Sequence, residues 1–525
     1  MKIWKKFLCI GLTILFLPGC GITYSQSDAV VEEADTVSPV TAADTVVVIS
    51  PENMSTTNGG VFQGWGTSLC WWANRLGYSD ELAQQAADLF FSEQGLNFNI
   101  MRYNIGGGDD PTHDHITRTD SEVPGWLVYD EASGAYVYNY EADHNQLNVL
   151  ERAVAAAGED AYVEVFSNSP PYFMTESGCS SGNEIAAENN LKPEFYTDFA
   201  DYLAHVAEYI NNDLGIKVSS VSPMNEPNTT YWAAYSNKQE GCHVDPGEAQ
   251  SSIIVETAKA FENYGLGDVE IIGSDETAPQ QQIMAYHSYT EEAKAVIDRI
   301  STHTYGIAGL QQLGDLAKNK GFNLWMSEVD GGDVIGRKNG EMGSALWIAK
   351  KIIDDINGLS PSAWVMWQVV DNHISKDGYN GNQDSGMVNV NGGFWGAAVA
   401  DHDNQNIILT QKYYAIGQFT RYIRPGATLI HCGNNVLAAY HPETKELVIV
   451  AVNIEEDDLD FCFEPEGFVF SDANAQPIRT SGNVNGGESW TQLETIPLTE
   501  DGKLAATLKE ASVTTFVISS VELAE

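Results

Sequence analysis

Positive charge is what this 525-residue chain has least of: 27 Lys and Arg stand against 73 Asp and Glu, for a formal net charge of −46. A surface so acidic repels nucleic acid and anionic membranes and disfavours polyanionic ligands, which leaves a neutral molecule as the expected partner. Metal-ligand spacing is also missing. None of the seven cysteines (Cys9, Cys20, Cys70, Cys179, Cys242, Cys432, Cys462) falls in a CxxC or Cys/His pattern, so no zinc site is expected. Asp109 and Asp110 lack EF-hand spacing and read as an ordinary loop or substrate-facing pair. A phosphate-cradling GxGxxG is absent after the first β-rich run, where WGTSLCWWA stands instead. No internal repeat is evident. Neither a metal nor an organic cofactor is therefore expected.

What is present is ample material for large cores: 43% hydrophobic residues, 12 Trp and 23 Tyr, at a length that suggests two folded units and a leader. The leader is legible. Lys2, Lys5 and Lys6 precede an apolar stretch from Phe7 to Leu17, too short for a comfortable membrane span, so residues 1–20 read as an export signal. LPGC resembles a lipoprotein signal that would acylate Cys20, although Pro18 departs from the usual small residue. Residues 21–45 are small, acidic and polar and read as a flexible tether. The expected location is outside the cell, either lipid-anchored at a bacterial surface or secreted, as a monomer. Export permits disulfides. Cys179 with Cys242 and Cys432 with Cys462 are the pairings to test first, while Cys70 reads as a small core residue.

Eight β-rich runs alternate with helix-patterned segments between residues 61 and 370: VFQGWGTSL (61–69), NFNIMRYNI (97–105), AYVEVFSNS (161–169), KVSSVSPMNE (217–226), DVEIIGSDE (268–276), DRISTHTYG (298–306), FNLWMSEVD (322–330) and SAWVMWQVV (362–370). Segments 80–95, 194–213, 247–265 and 341–358 carry apolar residues at helical spacing. This alternation predicts a (β/α)8 TIM barrel over 61–412, favoured over a doubly wound sheet. Residues 413–525 turn to short alternating runs with little helix, an all-β side sandwich. TVVVIS (45–50), within 46–60, has no helix after it and is expected to join that sandwich.

Barrel chemistry gathers at the carboxyl ends of the strands. Those ends hold Arg102 and Asn104, Asn168, Asn225 and Glu226, His303 and Tyr305, Glu328, and Trp367. Strands four and seven face one another across a closed barrel, so Glu226 and Glu328 can approach the ~5–5.5 Å separation of a retaining glycosidase. Trp232 and one of the adjacent pair Trp71 and Trp72, with Trp72 the candidate, offer rings to stack on sugar faces. Asp275 and Glu276 also end a strand, but beside strand four, which suggests a secondary role. Arg102 is expected to orient a catalytic carboxylate, and His303 either lines or supports the site.

SPMNEPN (222–228) and LWMSEVD (324–330) resemble the clan of retaining (β/α)8 glycosidases with an Asn-Glu pair on strand four and a nucleophilic Glu on strand seven. GWGTSLCWWAN (64–74), MRYNIGGGD (101–109), SNSPPYFMT (167–175), KQEGC (238–242), THTYG (302–306) and KYYAIGQFTRYIRPG (412–426) narrow the resemblance to glycoside hydrolase family 30. The resemblance implies a barrel with a side β-sandwich, Glu226 as acid/base, Glu328 as nucleophile and Asn225 as a donor to the bound sugar. Its nearest subgroup is the endo-β-1,6-galactanases, acting on arabinogalactan side chains. β-1,6-Glucanase and xylanase are the alternatives within the family, and a non-catalytic glycan-binding lipoprotein is the alternative outside it.

Overall fold

The computed structural model describes residues 43–336 and 340–524. The expected export signal, Cys20 and nearly all of the tether lie outside the described residues. Among those described, no helix is long and apolar enough to cross a membrane.

Each of the eight β-rich runs forms a strand. After β1 (Thr45–Ile49) come β2 (Gly64–Ser68), β3 (Ile100–Asn104), β4 (Tyr162–Phe166), β5 (Val218–Ser222), β6 (Glu270–Glu276), β7 (Arg299–His303), β8 (Asn323–Val329) and β9 (Ala363–Met366). From β2 onward, chain neighbours pair in parallel. β9 returns to β2 with Ala363 opposite Gly64 and Met366 opposite Thr67, which closes the barrel. Strands covered on both faces need no polar alternation, and every residue of β2, β3, β7 and β9 is buried. The outer helices show the complementary pattern. In Asp80–Phe90, Leu82, Ala83, Ala86, Ala87 and Phe90 form the buried stripe, and the Ser79 hydroxyl caps the free Leu82 N–H.

Ion pairs fill part of the barrel interior. Arg299 bridges Glu164 and Glu270, and its guanidinium lies 3.5 Å from the Trp325 ring centroid. Glu164 also accepts from Arg102, at 3.0 Å. A buried charge is tolerated only when its neighbours neutralise it, and here each is shared between two partners or more.

The strands after residue 427, together with β1, build a sandwich against the barrel. One sheet runs Thr428–His431, Val436–His441, Glu446–Asn453, Ser512–Ile518, Asn474–Ser481, Glu488–Gln492. The other joins β1, Leu459–Pro465 and Leu504–Leu508, with Thr45 to Ile49 parallel to Phe461 to Pro465. The run ELVIVAVN (446–453) is almost wholly buried because its two faces meet different cores. Leu447, Ile449 and Ala451 pack with Phe461 and Phe463 between the sheets. Val448, Val450 and Val452 join the core of the barrel helices. Successive strand side chains point to opposite faces, so one strand serves both.

The expected disulfides are not formed: all five described cysteines are free. Cys432 follows a strand of the larger sheet and turns its thiol to the Ile430 carbonyl, while Cys462 lies in the smaller sheet. Cys242 donates to the His243 carbonyl, and the Cys179 thiol faces Asp109, His115 and Ser181 instead.

Candidate active site

β5 breaks at Pro223 and resumes as Met224–Asn225, which pairs with Ser274 and Asp275 of β6. Glu226 follows with φ of +48°, a left-handed conformation that costs a non-glycine residue about 1–2 kcal/mol. Four hydrogen bonds hold it there. Its N–H reaches the Asp275 carbonyl at 2.8 Å, and its carbonyl accepts from the Thr229 N–H, the Thr229 hydroxyl and the Trp232 indole. The bend turns the carboxylate into the barrel mouth. Tyr231 donates to its Oε2 at 2.5 Å, and His303 Nδ1 lies 3.0 Å from its Oε1.

Glu328 arrives from β8, directly opposite His303 of β7 in the strand ladder. Its Oε2 accepts from Arg102 at 2.9 Å, and its Oε1 from the Tyr305 hydroxyl at 3.1 Å. An oxygen of Glu226, a nitrogen of His303 and an oxygen of Glu328 lie within 4.8 Å of one another. The two carboxylates therefore face each other across a gap close to that of retaining glycosidases, ~5–5.5 Å.

Electrostatics organise this pair. Arg102 is fully buried and donates to Glu164, Asp275 and Glu328 at 3.0, 2.9 and 2.9 Å. Burial alone would depress His303, but the Glu328 and Asp275 carboxylates outweigh it and lift the imidazole to about 10. Asp275 resists its own burial because His303 and Arg102 hold it down, at about 2. His303 is thus a cation at neutral pH, lodged between both glutamates and Asp275. Burial pushes the Glu328 carboxyl up, against the pull of His303 and Arg102. Those two cations and the Tyr305 hydroxyl all favour its ionised form.

Not every expected substrate contact reaches the mouth. Trp72 is a correction: it opens the helix Trp72–Leu76, packs edge-on against Phe90 and bonds the Ser68 carbonyl, with no exposed surface. Trp71 lies equally deep, edge-on to Trp367. Arg102, Asn104 and His303 are wholly enclosed and act on neighbouring side chains. Asn104 donates to Glu240 and accepts from Asn168. Trp232 lies on the Gly241 backbone, where any Cβ would fall 2.2 Å from the indole, and so it braces Glu226. Asn225 is nearly buried, and its amide oxygen has no hydrogen-bond partner among the described residues.

The open rings are the expected Tyr305, 37% exposed, together with Tyr231 at 56% and Trp395 at 38%, with Trp395 tilted over Tyr305 at 6.1 Å. Tyr231 was missed. Its signal was its position, five residues after Glu226, in the same loop as the chosen Trp232. Glu240 was missed as well. Burial lifts it to about 8 even though the Gly107 and Gly108 N–H groups and Asn104 all donate to it. It ties the loop after β5 to the loop after β3. A cleft of about 640 Å³ opens beside these loops, lined among others by Asp109, His113, Tyr172, Glu240 and Tyr379.

Comparison with known proteins places this chain among glycosidases. The family model described as O-Glycosyl hydrolase family 30 matches residues 45–380. An endo-beta-1,6-galactanase of Hypocrea rufa is 29% identical over 507 residues, covering 92% of this chain and 96% of the relative. An exo-beta-1,6-galactobiohydrolase of Bifidobacterium longum subsp. longum is 28% identical over 436 residues, covering 65% of this chain and 28% of that longer protein. Among solved structures, a family 30 subfamily 8 xylanase from Clostridium acetobutylicum superposes with a TM-score of 0.64 at 20% identity. That match covers 90% of this chain and 99% of the xylanase, and it speaks for the fold.

Proposed function

Because this chain belongs to O-glycosyl hydrolase family 30, we propose that it cleaves β-1,6-linked galactan by double displacement, with Glu226 as acid/base and Glu328 as nucleophile. The observation that carries the mechanism is the approach of the two carboxylates within 4.8 Å, with His303 beside both. A gap of that size leaves no room for a water between nucleophile and anomeric carbon, so the carboxylate itself must attack.

In the first step Glu328 Oε attacks the anomeric carbon while Glu226 gives its proton to the departing glycosidic oxygen. The bond to the leaving sugar breaks, and a glycosyl ester forms on Glu328. In the second step Glu226 takes a proton from water, the water oxygen attacks the same carbon, and Glu328 leaves as a carboxylate. Arg102 and Tyr305, bonded to opposite oxygens of Glu328, hold it in line and stabilise the charge that it regains on leaving. Tyr231, Tyr305 and Trp395 offer ring faces to the sugar at the mouth.

Galactan is supported by the names of both sequence relatives, each directed at β-1,6-linked galactose. A net charge of −46 weighs against a glucuronate-bearing chain. The amino-terminal pattern supports export, with Cys20 as a lipid anchor, and membrane fractionation of Cys20→Ser against the unaltered chain reads that directly. The substrate test digests β-1,6-galactan, β-1,6-glucan and glucuronoxylan side by side and follows the first product anomer by NMR. Galactan cleavage with β product is expected. An α product seen first would overturn the retaining mechanism, and cleavage of glucan or glucuronoxylan alone would overturn the substrate reading.

A further inference from the structure

The loops around the cleft carry a second cluster with different chemistry. Asp109, His113 and His115 come from the loop after β3, and Cys179 from the loop after β4. One donor atom from each lies within 4.8 Å of all the others. Asp109 Oδ1 is 3.2 Å from His113 Nδ1, and Asp109 Oδ2 is 3.4 Å from His115 Nε2. Cys179 Sγ is 3.5 Å from the same His115 nitrogen and 4.0 Å from Asp109 Oδ2.

Spacings of 3.2 to 4.0 Å bracket those of a coordination shell. Zinc bonds of ~2.0–2.3 Å to nitrogen, oxygen and sulfur place tetrahedral ligands about 3.3–3.6 Å apart. The surroundings point the same way. The Tyr235 N–H donates to Cys179 Sγ at 3.3 Å, the kind of donor that a metal-bound thiolate attracts. Backbone N–H groups of Asp110 and Ser180 hold Asp109 Oδ1 at 2.9 and 3.1 Å. Tyr235 packs edge-on against both imidazoles, with centroids 5.1 and 5.5 Å away. Cys179 is buried, while the two histidines keep 20% and 12% of their side-chain surface, which leaves an entry path.

We infer that Asp109, His113, His115 and Cys179 form a tetrahedral site for a zinc-class divalent ion that fastens together the loops after β3 and β4. One thiolate, two imidazoles and one carboxylate suit zinc and disfavour calcium or magnesium, which take oxygen ligands. With every position filled by protein, the site is structural. It sits on the wall of the 640 Å³ cleft, on the loop whose Gly107 and Gly108 grip Glu240. Its loss would loosen that wall without touching the glutamate pair. The absence of a Cys/His spacing in the sequence concealed it, because Cys179 lies 64 residues beyond His115.

The test strips the full-length chain with a chelator, adds Zn2+ alone, dialyses and counts zinc by elemental analysis, with thermal melting alongside. One zinc per chain, retained by Glu328→Gln but lost at least ten-fold in His115→Ala and in Cys179→Ser, is the expected result. Replacement with Co2+ should give a thiolate charge-transfer band that Cys179→Ser abolishes. Should either variant fail to fold, the more exposed His113→Asn takes its place in the same assay. Zinc retention unchanged in these variants, loss in Glu328→Gln alone, or no retained zinc in the unaltered chain would each overturn the assignment. These readouts need no substrate and stand apart from the galactan proposal.

Discussion

Glu226 and Glu328 differ in what surrounds them, in keeping with the roles proposed for them. Glu328 takes the permanent Arg102 cation and the Tyr305 phenol with His303 3.4 Å away, whereas Glu226 shares His303 and takes the Tyr231 phenol at the bend of its loop. Glu226→Gln should lower kcat by about 10²–10⁴-fold, the usual worth of general acid–base catalysis. Glu328→Gln should fall to background, with a melting temperature that shows a folded protein. Hydrolysis of galactan by Glu328→Gln at more than a tenth of the unaltered rate would remove it as nucleophile.

His303 gives a pH prediction at the same scale. Its folded value of about 10 lies above the unfolded value of about 6.5. The folded state therefore holds a proton that the unfolded chain has already released between those limits. Its contribution is fully present below pH ~6.5 and is lost as pH rises through about 10, by up to ~1.4 kcal/mol per pH unit. Glu240, raised by burial to about 8 from an unfolded value of about 4.3, acts in the same direction at lower pH. Melting temperatures measured from pH 6 to 10 should decline, and His303→Asn should flatten the slope. A parallel decline in the variant would contradict the assignment. At this scale the sequence named both glutamates and Arg102 from strand ends alone. It could not tell Tyr231 from Trp232, because only packing on Gly241 decides which ring is covered.

Among elements, β1 is the most informative. Val47 and Ile49 point into the sandwich core at 3% and 0% exposure, while Val46 and Val48 face solvent at 51% and 43%. Ile49→Ala should cost about 2–5 kcal/mol, the usual range for a buried large-to-small change, and Val48→Lys should stay within about 0.5. Chemical denaturation of the two variants measures both, and equal costs would mean that β1 does not pack as described. The alternation of TVVVIS was weak evidence in the sequence, since four apolar residues in a row hide a period of two. The eight barrel strands were plainer, because continuous burial on both faces produces apolar runs that end abruptly in polar residues. Trp72 misled for a related reason: it continues a strand-like run in the sequence but opens a helix in the fold.

For the whole molecule, charge is the dominant fact. A net charge of −46 makes the compact state repel itself. Salt screens that repulsion over a Debye length of ~10 Å at 0.1 M, so the melting temperature should rise between low salt and about 0.3 M sodium chloride. A fall would show that the internal ion pairs, and not the surface, govern the response.

The sequence by itself determined the strand order, the barrel and the placing of Glu226 and Glu328 at strand ends, because periodicity and strand-end polarity are local properties of the chain. It did not reach contacts between loops far apart in sequence. That His303 lies between Glu226, Glu328 and Asp275, that Arg102 serves three carboxylates, and that Cys179 meets Asp109 and His115 were decided only when the barrel closed. Closure brings the carboxyl ends of separate strands to one mouth, where burial strengthens every charge interaction and distance along the chain no longer matters.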